Sequence, residues 1–145
     1  MSSLNVRVRW YLERDGGEPE DLGYNAVTQV GLQNFLDLGF GLGGTAISHL
    51  GVGDSSADPG VIFSQTDLQA STNKYRQALD AGYPARASQT VTVRATFGSA
   101  DANFAWNEFG LFWGASGSNM FSRKVQSLGT KSGGTWVLTA TVELA

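Results

Sequence analysis

Thr135-Trp136-Val137-Leu138-Thr139-Ala140-Thr141-Val142-Glu143-Leu144 decides the fold. Trp136, Leu138, Ala140, Val142 and Leu144 fall on one side of an extended chain. Thr135, Val137, Thr139, Thr141 and Glu143 fall on the other. A period of two residues is that of a β-strand with one face buried. Residues 90–97 repeat the pattern, with Val91, Val93, Ala95 and Phe97 set against Thr90, Thr92, Arg94 and Thr96. So does the opening stretch, where Leu4, Val6, Val8, Trp10 and Leu12 alternate with Asn5, Arg7, Arg9 and Tyr11. The first and last of these stretches are the longest clean alternations, and they are expected to lie near one another in the sheets.

Turn chemistry separates the strands. Asp15-Gly16-Gly17, Ser99-Ala100-Asp101 and residues 114–119 and 129–134 all read as turns. Residues 13–21 hold five acids and one proline, which predicts an exposed hairpin loop. Residues 104–113 carry seven apolar side chains in ten, apolar on both faces, as in a central strand or an interface. Residues 120–125 and 46–53 read as shorter strands. Residues 61–87 show no clear period. Asp67-Leu68 and Lys74-Tyr75-Arg76 are the ordered-looking points within them, and the segment is read as part strand or as a functional loop. One helix is predicted over 28–38. Leu32, Phe35 and Leu36 have helical spacing, Thr28 is the N-cap and Gly39 the residue past the end. Gly31 weakens this helix by up to ~1 kcal/mol relative to alanine, so packing of its apolar stripe is expected to hold it. The sum is one domain over 1–145, mainly β, an antiparallel sandwich or barrel with one short helix.

Composition narrows the function. The chain has 145 residues, 19 glycines, one histidine and no cysteine, so disulfides and thiolate metal sites are excluded. The net charge of −3 argues against a nucleic-acid partner. It is uneven: residues 1–60 hold three arginines and eight acids, and residues 61–145 seven basic and five acidic groups. No stretch reaches the ~18 to 20 apolar residues of a membrane span. The amino-terminal residues lack the apolar core of a signal peptide, which predicts synthesis in the cytoplasm.

Residues able to do chemistry are few. Ser48 precedes His49, but neighbours on a strand face opposite ways, so the pair is not expected to be poised. Glu108 sits in the apolar stretch 104–113 and should be paired, with Arg94, Arg123 or Lys124 as partners; a structural ion pair is favoured over catalysis. Asp54, Asp58 and Asp67 do not match a calcium-loop spacing. Gly51-Val52-Gly53 lacks the lysine of a phosphate loop. The glycines of residues 39–44 follow a helix rather than a strand, the wrong setting for a dinucleotide. Most aromatic rings fall on inward faces, leaving Tyr83 and Trp113 near loops. No catalytic, cofactor or metal site is expected.

Gly23-Tyr24-Asn25-Ala26-Val27-Thr28-Gln29-Val30-Gly31-Leu32-Gln33 resembles the opening of small structural proteins of tailed-bacteriophage particles. Ile47-Ser48-His49-Leu50-Gly51-Val52-Gly53, Thr66-Asp67-Leu68 and Tyr75-Arg76 are similar to the later segments of those families. So are Trp106-Asn107-Glu108-Phe109-Gly110-Leu111-Phe112 and residues 129–138. The likeness spans nearly the whole chain through short motifs. It implies a non-enzymatic virion protein, either a capsid decoration (cement or head fibre) protein or a tail fibre, baseplate or minor tail protein. The chain ends directly after its last strand, which favours the capsid surface. The partners implied are a major capsid protein or tail proteins, and further copies of the chain, a trimer being one arrangement. Phe40, Leu42, Tyr75, Arg76, Tyr83 and Trp113 are the candidate contact residues, within or near the segments 39–44 and 54–87. A carbohydrate-binding module is the alternative of a different class.

Overall fold

The computed structural model describes residues 5–25 and 27–144. Among the described residues, nine strands form two antiparallel sheets that enclose the main core. In chain order they are β1 (Val6–Arg14), β2 (Glu20–Asn25), β3 (His49–Gly53), β4 (Lys74–Ala78), β5 (Ala85–Ala87), β6 (Thr90–Phe97), β7 (Glu108–Phe112), β8 (Met120–Val125) and β9 (Trp136–Leu144). The first sheet runs β2-β1-β9-β6-β5 and the second β4-β3-β7-β8. Neither closes on itself, so the fold is a β-sandwich rather than a barrel.

The alternating stretches form the heart of the first sheet. β1 pairs with β9 over nine positions, from Val6 opposite Leu144 to Arg14 opposite Trp136, so the first and last alternating stretches are neighbours. β9 also pairs with β6 along its length. Side chains directly opposite in an antiparallel pair share a face. Val8, Trp10 and Leu12 therefore meet Val142, Ala140 and Leu138, and these meet Val91, Val93 and Ala95. Leu4, assigned to the same face, lies outside the described residues. Across the core, Trp106 stands edge-on to Phe97 and Trp136, with ring centroids 4.9 and 4.8 Å apart. Trp10 meets Phe109 in the same manner at 5.0 Å. Edge-to-face rings at such spacing add about 0.5–1.5 kcal/mol each beyond area burial.

The second sheet is buried on both faces at its centre, in β3 and β7, while its edge strand β4 has no buried residue. All five residues of β7 are buried, and the strand is half the length of the apolar stretch that predicts it. Residues 104–107 instead zip against 128–131, where Trp106 N–H donates to Gly129 O and Leu128 N–H to Trp106 O. Leu50, Val52, Phe109 and Leu111 join the main core. Phe112 and Met120 pack with Leu68 in a second cluster, beneath a cover made by the segment between β3 and β4. That segment contains a kinked 3-10 stretch, Pro59–Ser64. Gly51 and Gly110 sit opposite one another in the sheet. A Cβ on Gly51 would strike the Phe112 ring, and one on Gly110 would strike the carbonyl of Ser122. These glycines leave room for the Phe112 ring and for the close approach of β8 to β7.

Helix α1 (Gln29–Gly39) is held differently from the expectation. Thr28 is its N-cap, its Oγ1 accepting from Gly31 N–H at 2.9 Å and donating to Met120 O at 2.6 Å. The buried helix positions are Gly31 and Asn34, while Phe35, Leu36 and Leu38 are exposed. Of the predicted stripe, Leu32 packs half-buried against the main core, while Phe35 and Leu36 do not. The reason is Gly31: a Cβ there would lie 2.7 Å from Phe121 O and 2.8 Å from Phe121 Cα. The helix rests on the backbone of β8 through its glycine side, which turns much of the stripe outward. The end also moves. Gly39 is the last helical residue, Phe40 N–H donates to Leu36 O, and Leu42 N–H donates to Asp37 O at 2.8 Å. The left-handed residue of this stop is Gly41, φ +68°, not Gly39.

Candidate functional site

Three places gather polar or unpartnered side chains. The first lies beneath the covering layer. Glu108 opens β7 and Arg123 lies on adjacent β8, and both side chains are fully buried. Arg123 Nε donates to Glu108 Oε1 at 2.8 Å, and its Nη1 donates to Gln65 Oε1 at 3.0 Å. The carboxylate also accepts from the backbone N–H groups of Gln69 (2.7 Å), Ala70 (2.8 Å) and Ser55 (3.3 Å). Of the three cations proposed for Glu108, Arg123 is the partner. Gly53 lies opposite Glu108, and a Cβ there would collide with the carboxylate. Such a saturated carboxylate tethers the segment 54–70 to the sheet.

The second is a polar cleft of about 330 Å³ between Asp67, Lys74, Tyr75, Arg76 and residues 115–117. Here the structure brings Tyr75 and Arg76 together, but Arg76 is heavily engaged. Its side chain is 8% exposed and its guanidinium stacks 3.8 Å from the centre of the Phe112 ring. It donates to Asp67 Oδ1 (2.9 Å), Gly114 O (2.9 Å), Gly117 O (2.6 Å) and the Asn119 side chain. Lys74 shares Asp67 at 3.2 Å. Arg76 thus staples the 114–119 turn to the covering layer, with few donors left for a ligand. Tyr83 sits under the Arg94 guanidinium, 5.0 Å from its ring centre, and Trp113 packs half-buried against the main core.

Ser48 and His49 depart from the expectation. Ser48 lies just before β3, outside the alternating backbone, and its Oγ is 2.7 Å from His49 Nδ1. Burial, and secondarily the charge of Arg76, holds the His49 imidazole below its usual pKa. Among the described residues His49 has no carboxylate partner, so the group that orients a catalytic histidine is not assembled there. Asp54 is bonded to Asn73 and Asp67 to its two cations. Among the described residues no three His, Asp or Glu side chains are placed to hold a metal. A buried charge that sequence reasoning misses is Lys131. Its Nζ donates to Gly98 O (2.5 Å) and Asn103 Oδ1 (3.0 Å), and burial pushes its pKa down. A lysine in a glycine-rich turn carries no signal of such burial.

The third place is apolar. Phe35, Leu36, Leu38, Phe40, Leu42, Val61 and Phe63 are between 41% and 75% exposed. They come from α1, the loop after it and the 3-10 stretch, which touches α1. At roughly 150–200 Å² per side chain, they show on the order of 600–800 Å² of apolar surface. Soluble monomers rarely present a patch above about 300–600 Å². On the same helix opens a cleft of about 230 Å³, between α1 and strands of both sheets. Among the described residues no helix is long and apolar enough to cross a membrane. Comparison with protein-family models gives no match, and comparison with curated proteins and with solved structures gives none either.

Proposed function

We propose that this chain is a non-enzymatic structural component of a tailed-bacteriophage particle, an oligomeric decoration protein on the capsid surface. The observation that carries the reading is the apolar end of the sandwich. A protein that acts by docking needs a rigid body and an unpartnered apolar face, and this one has both. The rigid body comes without covalent staples, from edge-to-face tryptophans and a buried ion pair. The resemblance of residues 23–33, 47–53 and 106–112 to small virion proteins supplies the setting. Binding only to the assembled shell would stabilise that shell by mass action. The exposed, acidic β1–β2 hairpin and the 114–119 turn supply loops for contact with a shell.

The test is to purify particles from a lysate, strip loosely bound protein with salt, and count copies of this chain against the major capsid protein. A fixed stoichiometric ratio, with cryo-electron density on the capsid surface, is expected. Density confined to the tail would move the protein to a fibre, baseplate or adaptor. Absence from particles would end the reading.

A further inference from the structure

The apolar end contains a projection and a hole on the same helix. Phe40 and Leu42 are 75% and 74% exposed, more than any other large apolar side chain among the described residues. They are not on a loose loop. Phe40 N–H is bonded to Leu36 O (3.0 Å) and Leu42 N–H to Asp37 O (2.8 Å), with left-handed Gly41 locking the turn between them. A projection fixed before binding loses little entropy on docking. The hole is the 230 Å³ cleft, lined by apolar side chains that include Phe35, Leu38, Ile47, Val91 and Phe121. It falls below the roughly 300–1,000 Å³ of ordinary small-molecule pockets. It exceeds the ~150 Å³ of an apolar cavity that accepts benzene. One phenyl ring is the object that fits.

We propose that the occupant of this cleft is Phe40 of a second copy of the chain, and that the apolar end is a self-complementary interface. The inference names the partner of the surface on which the particle reading rests. Phe35 and Leu38 line the hole and Phe40 follows two residues later, so one patch supplies both halves of a reciprocal contact. A two-fold interface requires that residue i meet j while j meets i. Charge agrees. Residues 38–53, which carry the projection and one wall of the hole, contain no Asp, Glu, Lys or Arg, so the centre of the contact is free of like charge despite a net charge of −3, with Asp37 and Asp58 at its border. A charged partner would find no counterpart there. The exposed apolar area, on the order of 600–800 Å², approaches the ~800 Å² per partner of a stable interface.

The test is the molar mass of the native chain in solution, by light scattering or sedimentation over a dilution series. The expected result is a multiple of 15.4 kDa that persists at high salt. Phe40→Asp removes the projection, and Ala46→Trp, at the rim of the hole, blocks it. Both should return the chain to a single-copy mass while leaving its circular dichroism in place, with an unfolding midpoint that no longer depends on protein concentration. A single-copy mass for the native chain overturns the proposal, as does an assembly that both variants leave intact. If the native chain is monomeric but its cleft binds anilinonaphthalene sulfonate, the cleft belongs to a small apolar ligand. Self-association without incorporation into particles sinks the particle reading and leaves this inference standing. Incorporation as isolated copies does the reverse.

Discussion

Replacing Glu108 with glutamine tests whether the covering layer is fastened from inside. The carboxylate receives four N–H groups: Arg123 Nε and Gln69 on one oxygen, Ala70 and Ser55 on the other. A glutamine offers one oxygen and an NH2 group, so two of these donors would face another donor. Arg123, fully buried, would lose its only counter-charge, and its Nη2 already has no partner among the described residues. Removing one member of a buried pair costs about 3–5 kcal/mol, because the other charge is left uncompensated. Against a typical total of about 5–15 kcal/mol that is a large share. For a domain of this size it corresponds to a fall of roughly 10 °C in Tm. Urea unfolding measures the loss. Amide exchange at Ser55, Gln69 and Ala70 locates it, and these three should exchange faster. The double variant Glu108→Gln/Arg123→Met removes both charges and should regain most of the stability, because the stranded cation is gone. A loss below about 1 kcal/mol in the single variant would refute the account. So would a double variant less stable than the single one.

Gly31→Ala should destabilise by about 1–3 kcal/mol. Alanine is the better helix former by up to ~1 kcal/mol, so a stabilised variant in urea unfolding would show that α1 does not rest on the backbone of Phe121. Thr28→Ala removes both the N-cap and the bond to Met120 O and should cost about 1–2 kcal/mol, with Thr28→Ser recovering most of it; thermal melts followed at the helix band compare the three. His49 adds a pH effect with a defined sign. Its folded pKa lies below 6.5, so the unfolded chain binds the proton more readily. The associated stability is whole above that value and declines as the pH falls toward the lowered one. His49→Gln should flatten that part of the curve between neutral and mildly acidic pH, and an unchanged slope would contradict the assignment.

The sequence shows β1, β6, β8 and β9 nearly to the residue, and β3 and β7 only as parts of longer stretches. β1, β6 and β9 each bury one face, so alternation marks them to within a residue or two of their ends. β7 buries both faces and β3 carries glycines where side chains would clash, so neither has a period to read. β2 and β5 escape notice for the opposite reason. Leu22 is the only buried side chain of β2, and β5 buries none. The helix is legible from its spacing and its cap, but not the way it faces. A stripe of leucines and phenylalanines promises a core contact, and only the approach of Phe121 to Gly31 reverses it for Phe35 and Leu36. The Glu108–Arg123 pair is foreseeable because an isolated carboxylate cannot stay buried in an apolar strand. Which cation answers it depends on the register of β8. Phe40 and Leu42 stand out in the sequence as apolar side chains among glycines. That a cleft opens on the helix just before them becomes visible once α1 is placed.

The position of β9 sets a timetable for folding. It is the middle strand of its sheet, and without it β1 has only β2 beside it and β6 only β5. Two-stranded ribbons are marginal in water, so during translation this sheet must wait for β9 itself to leave the ribosome. Until then the inward edges of β1 and β6 are open to other chains. A message that stops before β9 would yield an aggregating chain rather than a slightly smaller sandwich.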